Sequence, residues 1–349
     1  QSFAIKLFQV LNDRGLELSP SDIVKSYIIG KYEQDDEMGK QIFNNNWKNI
    51  EDLSKQYGFK IDDFVVFYEY YKLKSNPKRQ VVDELRDIIQ RSDVYELVAE
   101  LHSFSESLKK VYESNNPVIL SLRYIPWKFY VMTALTSAYQ VNYPEKDKLF
   151  KEIRRFFYIS LTAGCTLNQI KQTSFKLIES IVNGNSIDEI KEDLNRTIIS
   201  RRMYAKVYDA LDNDVYNEKF LKPLMLSLEY EIREKTDKSF YSLDNTLHMD
   251  HSLPRAYKQN DEWNYIKDEE VLPEINGLGN MALLQDIKNE EALNCGFDRK
   301  IRIYKGQDEE GNNKSGITSF EFTRKIIEYY NSGNTTWNID QILERKKYL

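Results

Sequence analysis

Apolar residues at helical spacing dominate the first two-thirds of the chain. Between residues 93 and 113, Val94, Leu97, Leu101 and Leu108 follow one another at intervals that keep them on one face. Such a stripe is typical of an amphipathic helix that buries one side. The same spacing predicts helices over 39–57, 61–74, 80–91, 145–163 and 199–234, with two helices in the last range.

Helix-start and helix-stop residues support these ranges. Ser19 and Asp22 form a capping-box pattern around Pro20, which suits the first position of a helix. Ser186 and Glu189 repeat the capping box before a helix near 187–196. A glycine at Gly164 is a suitable end for the helix over 145–163.

The pattern changes near Thr236. Apolar positions alternate within 236–255, which suggests strand and turn. A turn followed by a short apolar strand is expected within 277–285, and a polar helix follows from about 287. Strand, long loop, strand and helix is the order of a ββα-metal finger. With two further helices near 317–331 and 338–347, the predicted fold is mainly α: helical N-terminal and middle regions, then a small ββα-metal finger domain flanked by helices.

Composition narrows the class of protein. The 349 residues carry a formal net charge of −6 and 30% charged residues, which is typical of a folded cytoplasmic protein of two or three domains. The acidic balance gives no general signal for nucleic-acid binding, so any such surface must be a local patch. Two distant cysteines, Cys165 and Cys295, argue against a disulfide scaffold and a structural zinc site.

The longest apolar stretch runs from Pro117 to Tyr139. Arg123, Pro126 and Lys128 interrupt it. A membrane span needs about 20 nearly uncharged residues, so we expect a buried core helix here and no membrane association.

Four residues near the predicted strands carry candidate chemistry. Asp250 and His251 stand at the end of the first strand, Asn280 opens the second, and Asn289 lies early in the next helix. A neutral imidazole can take a proton from water near pH 7, which makes His251 a candidate general base for phosphodiester hydrolysis. Carboxylate and amide oxygens suit Mg²⁺ or Mn²⁺, so Asp250 and Asn289 are the candidate ligands of one ion. Asn280 is expected to tie the strands together and orient His251.

These residues resemble the motif of HNH (His-Me finger) nucleases: D-H-x-x-P, then G-N-x-x-L-L, then an asparagine. The resemblance implies that Asp250 is the metal-binding acid, His251 the base, Asn280 the structural asparagine and Asn289 the last metal ligand. The family often has histidine at this last position. The affinity for the metal is therefore the property that Asn289 is expected to change.

The chain also resembles GmrSD-type restriction endonucleases, which are modification-dependent (type IV) anti-phage enzymes. The resemblance rests on Asn-Asp-Arg-Gly-Leu-Glu-Leu-Ser at 12–19, Leu-Gly-Asn-Met-Ala-Leu-Leu at 278–284, Lys300, and Trp337 with Ile342 and Arg345. Those enzymes join a ParB/sulfiredoxin-like NTP-hydrolysing domain to a C-terminal HNH domain.

The family's nucleotide-binding motif is absent, and the chain starts without methionine. We therefore expect that an N-terminal portion is missing and that NTP would act only through that portion. The expected organisation is a helical remnant of the NTPase-type domain at 1–75, a helical middle region at 76–197 and the HNH-type nuclease domain at 198–349. Arg14 is a candidate contact near the nucleotide site.

Basic residues follow the finger helix. Arg299, Lys300 and Arg302 are candidate contacts to DNA phosphates, with Lys300 favoured by the resemblance and Arg255 a weaker candidate. A solvated helix face is the alternative interpretation of this cluster.

The leading hypothesis is a Mg²⁺- or Mn²⁺-dependent endonuclease that cuts DNA, with modified phage DNA as the expected partner. A regulatory or partner-binding helical module with a vestigial finger, and an HNH nuclease acting on RNA, are the alternatives. Assembly of the protein into a homo-oligomer is also compatible with the sequence.

Overall fold

The computed structural model describes residues 18–232, 240–241 and 243–349. The expected role of Arg14 lies outside the described residues. The described chain is mainly helical, as its apolar spacing predicts. Its α-helices are α1 (Pro20–Ile29), α2 (Glu37–Tyr57), α3 (Ile61–Leu73), α4 (Val81–Arg91), α5 (Val94–Glu113), α6 (Pro117–Leu122), α7 (Lys128–Gln140), α8 (Lys146–Thr162), α9 (Leu167–Val182), α10 (Ile187–Ser200), α11 (Met203–Asp212), α12 (Leu221–Ile232), α13 (Asp268–Val271), α14 (Asp286–Ala292), α15 (Phe297–Lys305), α16 (Glu321–Asn331) and α17 (Ile339–Tyr348).

The predicted capping signals are confirmed. Ser19 accepts the backbone N–H of Asp22, whose carboxylate accepts the Ser19 N–H in return. Ser186 and Glu189 form the same reciprocal pair before α10. These bonds satisfy N–H groups that the first turn of a helix leaves without internal partners.

The apolar stretch from Pro117 to Tyr139 forms two helices, α6 and α7, where a single buried helix was predicted. Pro126 lies between them, and proline lacks the N–H and disfavours helical geometry in the residue before it. The prediction of burial holds: Val131, Ala134, Leu135 and Ala138 in α7 are fully buried.

Contacts within the chain define two compact units. One contains the described residues up to 114 together with 126–153 and 166–197. In this helical unit α7 packs against α3, α5 and α9, which explains why its apolar residues are buried on several sides.

The second compact unit contains residues 115–125, 154–165 and 198–349. It holds a two-stranded antiparallel sheet, β1 (Leu247–His251) paired with β2 (Met281–Gln285), and α14 begins directly after β2. Helices α15, α16 and α17 and the loop between the strands supply a shared core. Its buried members include Leu253, Trp263, Ala282, Leu284, Ile301, Tyr304, Ile326, Trp337 and Ile342.

In the part of the chain that is described, no helix combines the length and the apolar character that crossing a membrane would require.

Candidate active site

The strand β1 sets Asp250 and His251 on opposite faces of the small sheet. Asp250 pairs with Ala282 and His251 with Met281 across the antiparallel register. Successive strand residues point to opposite sides, so the two side chains enter different surroundings. Both are largely buried, at 6% and 7% exposure.

Asp250 faces α15, where it meets a buried cation. The ammonium of Lys300 lies 2.9 Å from each carboxylate oxygen of Asp250 and also donates to the backbone oxygen of His251 at 2.8 Å. The hydroxyl of Tyr304 donates to the same carboxylate. Lys300 is 0% exposed, and a buried charge of this kind is tolerated only when it is paired and hydrogen-bonded.

His251 faces a different set of partners. Its Nε2 lies 2.9 Å from Oδ1 of Asn276, and Nδ2 of Asn276 donates to Asp214 at 2.8 Å. The ring of Tyr216 packs against the imidazole, with ring centroids 4.3 Å apart. Burial lowers the pKa of His251, and the hydrogen bond to Asn276 acts in the opposite direction. A lowered pKa favours the neutral ring, which is the form that accepts a proton.

Asn280 ties two segments of backbone to the side chain of Trp337. Its Oδ1 accepts the N–H of Leu253 at 2.8 Å and the indole N–H of Trp337 at 3.2 Å. Its Nδ2 donates to the carbonyl oxygens of Leu253 and Ile275 at 2.9 and 2.8 Å. Asn280 therefore fixes the loop after β1 against the turn before β2, while the side chain that contacts His251 is Asn276.

Asn289 lies on α14, which packs against β1 and β2. Asp250 and Asn289 thus offer the hard oxygen donors that Mg²⁺ accepts, and Mg²⁺ commonly takes only one or two protein ligands. A carboxylate has about four acceptor positions, and Lys300 and Tyr304 fill three of those of Asp250. The donor types are those that Mg²⁺ or Mn²⁺ accepts, and an ion at Asp250 would share the carboxylate with the ammonium of Lys300. Among the described residues, no group of three or more His, Cys, Asp or Glu side chains is arranged to hold a metal.

His248 shares the Asp250 face of β1 and is one-third exposed. Its Nε2 contacts the carboxylate of Asp286 at the start of α14. His248 is therefore a partly buried, hydrogen-bonded histidine.

The structure does not bring the four predicted phosphate-binding residues together. Lys300 is buried beneath Asp250, which differs from the expectation, because a fully buried ammonium cannot reach a DNA backbone without leaving its carboxylate. Arg299 pairs with Glu309, and Arg302 pairs with Asp298 at 2.7 Å.

Arg299 and Arg302 line a cleft of about 560 Å³ in which acids outnumber bases. This cleft is a poor clamp for phosphate, since like charges oppose binding. Its charged residues are Glu262, Glu291, Asp298, Asp308 and Glu309 against Arg299, Arg302 and Lys314.

Arg255 is the candidate cation that lies beside His251. It is exposed, and its guanidinium carbon lies 4.9 Å from the ring centroid of Tyr216, the residue that packs on the imidazole. An exposed guanidinium on this side of β1 can reach a phosphate near the base.

A known protein family is similar to the part of the chain that contains this site. Residues 199–349 match the C-terminal domain of GmrSD restriction endonucleases. The match supports the resemblance to GmrSD enzymes over this segment, and it contains every residue of the site described above. Among curated proteins, none matches the chain.

Within this GmrSD-like segment, three contributors escape the motif. Tyr304 lies on the helix after the motif. Asn276, which contacts His251, and Asp214, which contacts Asn276, both lie outside the two strands. The helical repeat offered a signal for Tyr304, because it stands four residues after Lys300 and so on the same face of α15. No comparable spacing connects Asp214 with Asn276, because the two residues are 62 positions apart in the sequence.

Proposed function

We propose that the segment 198–349 is an HNH-type endonuclease that hydrolyses DNA, with His251 as the general base. The similarity of residues 199–349 to GmrSD restriction endonucleases supports this reaction class, because an endonuclease hydrolyses phosphodiester bonds within a nucleic acid. Modified phage DNA is the proposed substrate because the GmrSD enzymes are restriction enzymes.

One observation carries the proposal. The antiparallel pairing of β1 with β2 puts Asp250 and His251 at adjacent positions, and α14, which bears Asn289, starts directly after β2 and packs on both strands. A base, an acid and an amide oxygen are thereby collected on one hairpin and one helix. Hydrolysis of a phosphodiester uses groups of these kinds.

Each group has a chemical part. His251 takes a proton from the attacking water, and Asp250 and Asn289 would hold the metal ion. The ion, when bound, supplies charge stabilisation at the phosphate and the leaving oxygen. Arg255 binds a phosphate beside the base, and Asn280 keeps the loop after β1 in place.

The test is cleavage of DNA with Mg²⁺ or Mn²⁺ by the wild type and by His251→Ala. Removing a general base costs roughly 10²- to 10⁴-fold in rate, so the variant should lose measurable cleavage while its circular dichroism and DNA binding stay unchanged. His102→Gln, in helix α5 of the other compact unit, is the matched control and should cut like the wild type.

Parallel substrates separate the alternatives. Faster cleavage of modified phage DNA than of unmodified DNA supports a modification-dependent enzyme. Cleavage of RNA alone supports the RNA alternative. A folded wild type that cuts neither, and that shows no saturable Mn²⁺ binding sensitive to Asp250→Ala, would support a vestigial finger. His251→Ala cutting at the wild-type rate would remove His251 as the base.

A further inference from the structure

The partners of His251 form a chain of three polar side chains that starts outside the β1–β2 hairpin. Asp214, in the connection between α11 and α12, accepts from Nδ2 of Asn276 at 2.8 Å, and Oδ1 of Asn276 lies 2.9 Å from Nε2 of His251. The backbone of Val215 also donates to the carbonyl oxygen of Asn276 at 3.1 Å. Asn276 is thus held by both its side chain and its main chain.

Asp214 fixes which way the amide of Asn276 points. An ionised carboxylate only accepts hydrogen bonds, so the NH₂ group of Asn276 must face Asp214 and the oxygen must face His251. An amide oxygen likewise only accepts, so Nε2 of His251 must carry the proton that makes this bond. The neutral imidazole is therefore the Nε2–H form, with its unshared electron pair on Nδ1.

Packing adds a second restraint on the ring. Tyr216 lies 4.3 Å from the imidazole, centroid to centroid, and its backbone N–H is bound by the Asp214 carboxylate at 3.0 Å. Asp214 therefore organises both the residue that hydrogen-bonds the imidazole and the residue that packs on it.

We propose that Asn276, held by Asp214, is a positioning residue that keeps His251 in the Nε2–H tautomer and leaves Nδ1 as the atom that takes the proton from water. The inference rests on the proposed function for the role of Nδ1, whereas the tautomer is a property of the folded protein alone. A base in the wrong tautomer presents an N–H to the water and cannot accept its proton.

The test measures the tautomer directly, without DNA or metal. The chain has three histidines, so long-range ¹H–¹⁵N correlation spectra of histidine-labelled protein, recorded well above the pKa of histidine, resolve each ring. The His251 signals are assigned by their loss in His251→Ala. The wild type should show the Nε2–H form, and Asn276→Leu, which removes both hydrogen bonds, should show a mixture of tautomers.

Two further variants keep the test falsifiable if Asn276→Leu fails to fold. The double change Asn276→Asp with Asp214→Asn retains an acceptor for Nε2–H and a donor between the two exchanged residues, and it should keep the tautomer. Asp214→Ala frees the amide of Asn276 to turn over and should shift the tautomer toward the mixture. Glu218→Ala removes an exposed carboxylate from the same connection and is the matched control, with no change expected.

Activity gives an independent measurement. Asn276→Leu should lower kcat roughly 10- to 100-fold with little change in KM, as expected for loss of a residue that orients a reacting group. The double change Asn276→Asp with Asp214→Asn should recover part of that loss.

The outcomes separate this inference from the nuclease proposal. A wild-type ring in the Nδ1–H form would overturn the positioning role. A tautomer unchanged in Asp214→Ala, and in Asn276→Leu where that variant folds, would also overturn it. A wild type with the expected tautomer and no cleavage of any nucleic acid would leave the positioning role intact and overturn the proposed function.

Discussion

At the scale of single residues, Lys300 is the side chain whose surroundings differ most from expectation. A lysine after a nuclease motif suggests contact with phosphate, yet its ammonium sits under the sheet with two oxygens of Asp250 and one of His251. Its charge therefore compensates the buried carboxylate and anchors α15 to the end of β1.

Removing the Lys300 charge should destabilise the protein. Lys300→Met leaves Asp250 buried with only Tyr304 as partner, and breaking a buried pair in this way costs about 3–5 kcal/mol. Adding Asp250→Asn should cost much less than the sum of the two single changes, because neither charge is then left alone. Urea denaturation with a chelator present measures both effects.

The control for Lys300 is Lys305→Met on the same helix, whose ammonium contacts the neutral amide of Asn331. It should cost less than about 1 kcal/mol. Equal costs for the two lysines, with a smaller salt dependence of DNA binding in Lys300→Met, would instead support a phosphate contact.

Glu69 in α3 is a buried acid whose effect on the stability of the fold depends on pH. It is 2% exposed, its Oε1 has no hydrogen-bond partner within the described structure, and burial raises its pKa to about 7. The folded state therefore holds this proton at pH values where the unfolded chain has released it, and stability falls as pH rises from the ordinary glutamate range through 7.

Glu69→Gln should remove this penalty. Its gain in free energy of unfolding, relative to wild type, should grow across that range and approach about 3 kcal/mol above it. Thermal melts at acidic and alkaline pH measure the difference. Glu96→Gln, an exposed acid on α5, makes the same charge change, and an equal pH dependence there would refute the explanation.

At the scale of elements, α17 docks on the turn that precedes β2. Arg345 donates to the carbonyl oxygens of Gly279 and Met281 at 2.9 and 2.6 Å, and Trp337 donates to Asn280. The C-terminal helix thus holds in place the asparagine that orders the loop beside His251.

Gly279 permits this docking because it has no side chain. A Cβ there would lie 1.9 Å from the carbonyl oxygen of Ile342, a backbone atom that can move only with α17. Gly279→Ala should lower the free energy of unfolding by about 1–3 kcal/mol or more and reduce cleavage through the displaced loop.

Gly316→Ala is the matched control, because nothing lies within 4 Å of its Cβ position. Its urea midpoint should match the wild type. A Gly279→Ala protein as stable as Gly316→Ala would show that α17 is not held at this contact.

At the scale of the whole molecule, the second compact unit draws on three stretches of chain. Tyr124 donates to the carbonyl oxygen of Tyr241 at 2.6 Å and accepts from the hydroxyl of Tyr230 at 2.8 Å. Tyr158 reaches the carbonyl oxygens of Ser121 and Pro223. Residues far earlier in the sequence therefore cover α12.

A fragment of residues 198–349 should be less stable than the same residues in the whole chain. It lacks 115–125 and 154–165, so Tyr230 and its apolar neighbours on α12 become exposed to water. Binding of a hydrophobic dye and a lower, broader melting transition are the expected results. A sharp transition without dye binding would show that 198–349 folds unaided.

Much of this protein follows from local sequence. The helix ranges follow from apolar spacing, and the capping boxes at Ser19 and Ser186 from short-range hydrogen bonding. The local sequence motif also singles out Asp250, His251 and Asn280 as candidate site residues. These features depend on residues a few positions apart, whose relative placement the helix or strand repeat dictates.

Tertiary structure decided what surrounds those residues. Whether Asp250 meets a lysine or open solvent depends on how α15 packs. His251 contacts Asn276, and Asn276 contacts Asp214, only because connections distant in sequence converge. Lys300 shows the physical reason: local pattern sets which helix carries a charge, but long-range packing sets whether that charge is buried beside a carboxylate or left in water.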